Sequence, residues 1–390
     1  MTLATDRCHV LENPWRDHAI AVRFQDPEES ARLLEGIDAR PDGIVAVADR
    51  STVLASMAAE RWKIPWHSPE AVALCRNKSM SRVAFQSAGL NTPTWFLVPI
   101  DADPRSAAAR ARFPCVLKPL GLSASRGVIR ADDTASFIDA FHRIVRILQL
   151  PEIRQFHDDA DSAIQIETYI PGKEFALEGI MTEGELRVLA IFDKPDPLEG
   201  PFFEETIYVT PSRESAKTQR AIIETCRRAV RALGLTHGPI HAEMRVNDEG
   251  VFMLEIAARP IGGLCARVLR FTTCTLEELV ILHAIGHMPE DLKPAAAASG
   301  VMMIPAPGAG ILSSVAGIEE TKRVDLITSI EITAKLGEKL VPLPEGASYA
   351  GFIFAEGPDP GSVEKALREA HAQLRFEILS SLPMLAPTFG

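Results

Sequence analysis

The sequence lacks the features that would assign it to a membrane, a secretory route or a disulfide-rich class. No apolar run approaches the roughly 20 residues that a bilayer span requires. The N-terminal stretch MTLATDRCHVLENPWRD has neither the basic region nor the apolar core of a signal peptide. The cysteines are scattered, with no CxxC pair and no histidine cluster at zinc spacing, so we expect reduced thiols in a cytoplasmic protein. They are Cys8, Cys75, Cys115, Cys226, Cys265 and Cys274.

Excess positive charge is also lacking, which argues against nucleic acid as a partner. The formal net charge of the 390-residue chain is −11, whereas a nucleic-acid binder normally carries a basic stripe. Arg227, Arg228 and Arg231 recur at helical spacing, which is typical of a solvated helix face. The hydrophobic fraction of 46% and the charged fraction of 24% suit a globular protein of two to three domains.

What is present begins with a short α/β region, which we predict to span residues 1–75. Residues 18–24 (HAIAVRF) are predicted as a strand, and a polar helix follows over about 27–35. From residue 42, DGIVAVADRSTVLASMAAERWKIP predicts a buried strand, a loop and an Ala-rich helix. About two strand–helix units are fewer than a complete doubly wound domain needs.

The rest of the chain predicts a mixture of helices, hairpins and strands in three further parts. We expect a linker helix and lid over residues 76–165, a central domain over 166–292 and a β-rich lobe over 300–390. A single helix is predicted over 69–88, and a hairpin turning near Glu183 and Gly184 follows later. The alanine-rich stretch 293–300 is predicted as a linker. The fold class is therefore α/β, and α+β in parts.

Two lysines occur where they could meet phosphate groups. Lys118 ends an apolar strand directly before the small-residue loop GLSASRG, which contains Ser123, Ser125 and Gly127. Small residues let backbone N–H groups approach phosphate oxygens, and a lysine supplies a compact charge. Lys78 lies in RNKSMSR on a predicted helix. The plain alternative is a hairpin loop and two surface lysines, since neither a P-loop nor GxGxxG is present.

An extended segment with a carboxylate beyond it suits a nucleoside. Glu167 and Ile170 belong to such a segment, and Glu174 follows after a Pro-Gly turn. Adenine needs backbone donors and acceptors between apolar walls, and a carboxylate can accept both ribose hydroxyls. Taken singly, the segment is an ordinary strand and turn.

The strongest signal is a pair of glutamates on adjacent strands. Glu243 and Glu255 each interrupt an apolar run, and a short turn joins the two runs. Because buried unpaired carboxylates are costly, facing ones predict a cation between them, and Mg²⁺ prefers carboxylates together with substrate phosphates. Arg259 could neutralise a developing phosphoryl charge. The alternative is a pair of structural ion pairs with Arg245 and Arg259.

In this order, these motifs resemble the ATP-grasp superfamily, and within it the L-amino-acid ligases that form dipeptides. The stretches FDKPDPLEGPFFEETIYVTPS, GPIHAEMR and ARPIGGLCARVLRF resemble that group in particular. The likeness runs from about residue 71 to the C-terminus. It implies an ATP-grasp fold in which nucleotide is clasped between two sheets, with a short N-terminal α/β domain, a lid and a C-terminal lobe.

Carried over one position at a time, the resemblance implies a role for each motif residue. Lysines 78 and 118 would contact ATP phosphates under the lid loop, residues 167 and 170 would line the adenine hinge, and residue 174 would hold ribose. The paired glutamates would bind Mg²⁺, or Mn²⁺ in its place, and Arg259 would stabilise the transition state. Substrate contacts are implied for Glu205, Tyr208, Gly262 and Gly263.

Two departures from the family pattern carry consequences. Ala257 stands where many members have an asparagine, which removes a metal ligand and leaves the number of Mg²⁺ ions open. The N-terminal domain is short, so we expect either that the true start lies upstream or that a second copy in a homodimer covers an exposed sheet edge.

The function implied is an ATP-dependent carboxylate–amine ligase that uses small molecules, amino acids above all, without nucleic acid or membrane. It would form an amide or dipeptide through an acyl phosphate and release ADP and phosphate. Two alternatives stay open: another ATP-grasp reaction of the carboxyphosphate type, and a catalytically inactive nucleotide-binding scaffold.

Overall fold

An eight-stranded sheet and a four-stranded sheet form the body of the molecule, with smaller sheets of three and two strands. The computed structural model describes residues 1–6, 19–37, 40–156 and 158–380. Within them, no helix is long and apolar enough to cross a bilayer. Cys8 and His18 lie outside the described residues.

The strands are β1 (Leu3–Thr5), β2 (Ala19–Ala21), β3 (Trp95–Pro99), β4 (Cys115–Pro119), β5 (Ile129–Ala131), β6 (Ala163–Thr168), β7 (Lys173–Thr182), β8 (Glu185–Lys194), β9 (Ile207–Thr210), β10 (Gly238–Asn247), β11 (Gly250–Ala257), β12 (Ala298–Ile304), β13 (Gly310–Ala316), β14 (Ile327–Ile332), β15 (Lys339–Leu340), β16 (Gly351–Gly357) and β17 (Arg375–Leu379). The helices are α1 (Pro27–Glu35), α2 (Asp49–Trp62), α3 (Pro69–Arg76), α4 (Lys78–Ser87), α5 (Pro104–Ala108), α6 (Thr134–Leu148), α7 (Pro151–Arg154), α8 (Ala216–Leu233), α9 (Leu276–Ala284), α10 (Ile318–Lys322) and α11 (Pro360–Gln373).

The eight-stranded sheet has the order β11-β10-β7-β8-β9-β12-β16-β14 and is apolar on both faces. Phe175 of β7 packs in one core with Ile222 of α8, and its neighbour Ala176 packs in the opposite core with Leu279 of α9. Because successive strand residues point to opposite faces, an apolar run such as Phe175-Ala176-Leu177 fills both cores. The hairpin β7–β8 turns at Glu183 and Gly184 as predicted, both with positive φ.

We name the four-stranded sheet, of order β3-β6-β4-β5, and the helix packed on it the lid. One apolar face of this helix, α6, with Phe137, Phe141 and Ile144, packs against the sheet. The residues recur three and four apart, as the apolar stripe of an amphipathic helix does. Residues 169–172 lead from β6 of the lid into β7 of the larger sheet, so the two sheets meet at this short segment.

The predicted buried strand near residues 42–47 is wrong. Helices α1 and α2 form as predicted, but residues 40–47 are not in a strand, and Val47 is 67% exposed. A strand is stabilised by hydrogen bonds to a neighbour, and within the described residues the only strand pair of this region is β1 with β2.

Two further predictions need correction. The helix predicted over 69–88 is broken at Asn77, whose extended backbone ends α3 and whose side chain accepts hydrogen bonds from Ser79 N and Met80 N at the start of α4. An asparagine that caps in this way competes with helix continuation. The predicted linker over 293–300 ends in strand β12, which pairs with β9 and β16. The C-terminal lobe therefore shares the large sheet with the strands before it.

Candidate active site

A cavity of about 980 Å³ is lined by the lid, the large sheet and the N-terminal region. Of the residues singled out from sequence, only Gly127 does not line it; this glycine (φ +72) turns beside Pro119 and donates its N–H to the Pro344 carbonyl. The cavity brings together Lys78, Lys118, Ser123, Ser125, Glu167, Ile170, Glu174, Glu205, Tyr208, Glu243, Glu255, Arg259, Gly262 and Gly263.

Lys118 extends from β4 of the lid and is held by Glu167. Its Nζ lies 2.7 Å from one carboxylate oxygen, and Arg82 Nε lies 2.6 Å from the other. Burial alone would raise the pKa of Glu167, but the two cations hold it at about 2. The Glu167 carboxylate therefore orients Lys118. Further along the same segment, the Ile170 carbonyl accepts a hydrogen bond from Arg245.

Lys78 begins α4 and approaches the cavity from the other side. Its Nζ donates to the Leu122 carbonyl at 2.7 Å and lies 3.6 Å from Glu255 Oε2. In the adjoining loop, Ala124 and Ser125 have φ of 53° and 54°. Left-handed conformations at two successive non-glycine residues mark a constrained turn. The lysine thus ties this loop to the large sheet.

Glu243 and Glu255 face each other across β10 and β11, directly paired beside a β-bulge. We expected both side chains to be buried, but they are 26% and 34% exposed and open into the cavity. The ion pairs considered for them with Arg245 and Arg259 are not formed. Arg245 pairs with Glu174, with 2.8 Å between Nε and Oε2.

Lys194, which the sequence reasoning missed, lies among three carboxylates. Its Nζ is 2.9 Å from Glu174 and 3.6 Å from Glu243, and it also pairs with Glu205. Burial would lower the pKa of Lys194, but these carboxylates raise it well above its ordinary value, so the ammonium stays charged. The three glutamates offer oxygens that all lie within 4.8 Å of one another. Such hard oxygen donors suit a divalent cation.

Asp49, also missed, joins the N-terminal region to the site. It opens α2, and its carboxylate pairs with Arg259, with distances of 2.7 Å to Nε and 3.0 Å to Nη2. Burial would raise the pKa of Asp49, but Arg259 and Lys78 hold it below its ordinary value. Its signal was its position after the apolar run of residues 44–47, where α/β domains commonly place ligand contacts.

A third missed group is His241, which lies within the quoted stretch GPIHAEMR. Its Nδ1 meets Glu178 Oε1, and its Nε2 lies 3.2 Å from Glu243 Oε1. Burial would lower the pKa of His241, but the two carboxylates raise it to about 9. The second oxygen of Glu178 accepts the Ile261 N–H at 3.1 Å.

Comparison with known families agrees with the architecture. Residues 111–268 match the ATP-grasp domain, and residues 302–379 match the L-amino acid ligase C-terminal domain 2. The chain therefore contains an ATP-grasp domain and an L-amino acid ligase C-terminal domain 2. The resemblance and fold predicted from the sequence are thus confirmed.

A solved structure and two curated proteins show the same relationship. The L-amino acid ligase of Bacillus licheniformis superposes with a TM-score of 0.76 at 26% identity, over 93% of this chain and 88% of the other. Alanine–anticapsin ligase of Bacillus subtilis is 28% identical over 53% of this chain, and carnosine synthase 1 of Gallus gallus is 28% identical over 62%. These matches span 45% and 27% of the two relatives, respectively.

The L-amino acid ligase C-terminal domain supplies an apolar wall of the cavity. Met303, Tyr349 and Phe352 line it, beside Tyr208 of the neighbouring strand β9. Phe352 also packs under Gly263 (φ +62), where a Cβ would lie 3.2 Å from its ring. Cys265 lines the same region, and burial raises the pKa of its thiol, so it remains protonated. The wall adjoins the charged groups and could receive the apolar part of a substrate.

The same domain holds the lid of the ATP-grasp domain. Arg143 of α6 forms a two-point ion pair with Glu345, one contact being 2.8 Å from Nη2 to Oε2. Arg126 Nε donates to the Glu345 carbonyl at 2.7 Å. The lid loop is therefore fastened to the segment that carries Tyr349.

Proposed function

We propose that the protein is an ATP-dependent carboxylate–amine ligase that joins amino acids through an acyl phosphate. An oxygen of the bound carboxylate attacks the γ-phosphorus of ATP, and the bond from that phosphorus to the β-phosphate oxygen breaks, releasing ADP. The amine nitrogen then attacks the acyl carbon, phosphate leaves, and the amine gives up a proton. The products are an amide or dipeptide, ADP and phosphate.

The observation that carries the proposal is the meeting of cations, carboxylates and an apolar wall in one cavity. Lys78, Lys118 and Arg259 approach from three different segments and would neutralise phosphoryl charge. Transfer of a phosphoryl group depends on positioning and charge neutralisation more than on covalent chemistry by the protein. The apolar wall adjoins these charges, as a site for an amino-acid substrate requires.

The carboxylates of the site fit a divalent cation. Glu243 is common to the facing pair with Glu255 and to the group with Glu174 and Glu205. We assign Glu243 and Glu255 as Mg²⁺ ligands, with Mn²⁺ as a substitute and Glu174 as the ribose acceptor. Bound Mg²⁺ would supply charge neutralisation at the phosphates. When no Mg²⁺ is bound, the charge of Lys194 would offset the repulsion among the three clustered carboxylates.

Arg259 and the turn that follows it would act on the carboxylate substrate. Arg259 is held by Asp49, and Gly262 and Gly263 line the cavity next to it. A guanidinium and backbone N–H groups are suited to the oxyanion that develops during acyl transfer. Exclusion of water by the fastened lid would protect the acyl phosphate from hydrolysis.

The L-amino acid ligase C-terminal domain favours this reaction over carboxyphosphate chemistry, because that domain lines the cavity. The relatives with amino-acid substrates in their names point the same way. Ala257 also lines the cavity, and it offers no side-chain ligand, so the donor set differs from the usual one. A full set of charged groups argues against an inactive scaffold.

The test is to incubate the chain with ATP, Mg²⁺ and pairs of the twenty amino acids. Phosphate release is screened first, and the products are then separated by chromatography and mass spectrometry. We expect ADP and stoichiometric amide for at least one pair. AMP and pyrophosphate as main products would overturn the acyl phosphate, and ADP without any amide would leave an ATPase.

A further inference from the structure

The side chains of Glu178 and His241 form a buried pair behind the proposed metal site. They lie directly opposite each other on the neighbouring strands β7 and β10, so they point to the same face of the sheet. Their exposed fractions are 1% and 7%. Glu243 follows two positions after His241 and therefore lies on that face as well.

Each polar atom of the pair has a separate partner. Glu178 Oε1 meets the His241 ring at Nδ1, and Glu178 Oε2 accepts the Ile261 N–H at 3.1 Å. The other ring nitrogen, Nε2, lies 3.2 Å from Glu243 Oε1. The second oxygen of Glu243 lies 3.6 Å from Lys194 Nζ. The buried Glu178 carboxylate is thus linked to the Glu243 side chain through His241. It is also linked to the turn after Arg259 through the Ile261 N–H.

We propose that Glu178 and His241 are positioning residues that together set the orientation of the Glu243 carboxylate and of the turn at Ile261. The inference rests on the proposed function, since it assigns the pair a task in metal and substrate binding. Groups behind the ligands of a metal commonly fix their orientation, and their loss weakens metal affinity about 10- to 100-fold.

Stability alone is a weak reason for the pair. Two ionisable groups are removed from water, whereas well-packed apolar residues of similar volume are often as stabilising or more so. His241 lies between Glu178 and Glu243 and contacts both, and the two carboxylates would repel each other without a donor between them. The arrangement is accounted for if the orientation of Glu243 matters.

Two substitutions at His241 separate positioning from stability. In His241→Asn, the side-chain amide lies where Nδ1 was and keeps a donor for Glu178, but it does not reach Glu243. In His241→Gln, the longer side chain places its amide near the former Nε2 and reaches Glu243, but loses the geometry toward Glu178. A positioning role and a structural role predict opposite orders of Mn²⁺ affinity for these two variants.

The experiment measures Mn²⁺ binding to the full chain in the presence of ADP by electron paramagnetic resonance. Thermal melting, and ADP binding in the presence of EDTA, serve as controls of the fold. We expect His241→Asn to weaken Mn²⁺ binding about 10- to 100-fold with little change in melting temperature. His241→Gln should retain more of the Mn²⁺ affinity although it melts at a lower temperature.

The outcomes separate this inference from the proposed function. Mn²⁺ affinity that follows melting temperature, or that is unchanged in His241→Asn, overturns the positioning role while the wild type still binds Mn²⁺ with ADP. A wild type that binds no Mn²⁺ with ADP overturns the proposed metal site, and the positioning role with it.

Discussion

Arg259 and Asp49 are 210 positions apart in the chain and form a two-point ion pair at the cavity, with 2.7 Å from Nε to Oδ1. Asp49 belongs to the N-terminal region, and Arg259 follows β11, the second strand of the hairpin that carries Glu243 and Glu255. A paired guanidinium has a fixed plane. The N-terminal region therefore orients the arginine that we propose to act on the transferred phosphoryl group.

Replacing Arg259 with lysine should keep the charge and lose this orientation, since an ammonium cannot form the two-point contact. We expect amide formation by Arg259→Lys to fall about 10²- to 10³-fold, with ADP affinity nearly unchanged. Steady-state kinetics and calorimetry measure the two quantities. Arg267→Lys is the matched control, because Arg267 is half-exposed and pairs with Glu331 at the surface. Undiminished turnover by Arg259→Lys would show that Arg259 does not act on the transferred phosphoryl group.

Glu255 faces Glu243 but does not belong to the group of three glutamates around Lys194. Its role therefore needs a separate test. We expect Glu255→Ala to lower ATP turnover by at least about 10²-fold at saturating Mg²⁺ while the protein remains folded. The side chain is 34% exposed and its nearest cation, Lys78 Nζ, is 3.6 Å away, so little stability depends on it.

The matched control for this substitution is Glu249→Ala, because Glu249 is an exposed glutamate in the turn of the same hairpin. Turnover is measured by phosphate release, and folding by circular dichroism. Substantial activity in Glu255→Ala would place the metal on Glu243 and its neighbours Glu174 and Glu205 alone.

The hairpins and the local motifs could be predicted from sequence because their signals are local. Alternating or continuous apolar runs, with Gly-containing turns between them, predict β7–β8 and β10–β11, and the Glu243–Glu255 pairing follows from the short turn. The helix predicted through residue 77 failed for a local reason too. A single side-chain cap outweighed a favourable helical pattern.

Lys194, Asp49 and His241 were missed because their roles arise from contacts that are distant in the chain. Nothing near Asp49 indicates that an arginine 210 positions later will meet it. Lys194 looks like a surface lysine at the end of a strand until the chain brings three carboxylates around it. These contacts are properties of the packed chain, and a local signal such as the apolar run before Asp49 does not specify them.

The ion pair between Arg143 and Glu345 should keep the lid closed over the reacting groups. Glu345→Ala removes it, and because the pair is about one-third exposed, its contribution is about 0.2–1 kcal/mol. We expect the KM for ATP to rise about 2- to 5-fold and the ratio of amide to phosphate to fall, since water reaches the intermediate.

Asp139→Ala is the control for lid closure, because Asp139 is an exposed carboxylate on the same helix as Arg143. Amide is quantified by mass spectrometry and phosphate by a coupled assay. An unchanged ratio in Glu345→Ala would show that the contact does not govern access of water to the site.

Acid should destabilise the protein through His67, which is 1% exposed. Its Nδ1 accepts the Thr236 N–H at 3.2 Å, and its Nε2 lies 3.2 Å from the Pro239 carbonyl, which suits the neutral ring. Burial, together with the nearby His237 and His283, lowers its pKa to about 4 despite the opposing contact with the Pro239 carbonyl, against 6.5 in the unfolded chain.

Below pH 6.5 the unfolded chain therefore binds a proton that the native chain does not, so the stability present at pH 7 is lost as the pH falls toward 4. The loss between pH 7 and 5 is about 2 kcal/mol for this group. Urea unfolding at pH 7, 6 and 5 measures it. We expect His67→Gln to flatten the dependence by roughly that amount, and His142→Gln, at an exposed position, to leave it unchanged. An equally steep dependence in both variants would show that His67 is not the group responsible, since the proton would then be taken up elsewhere.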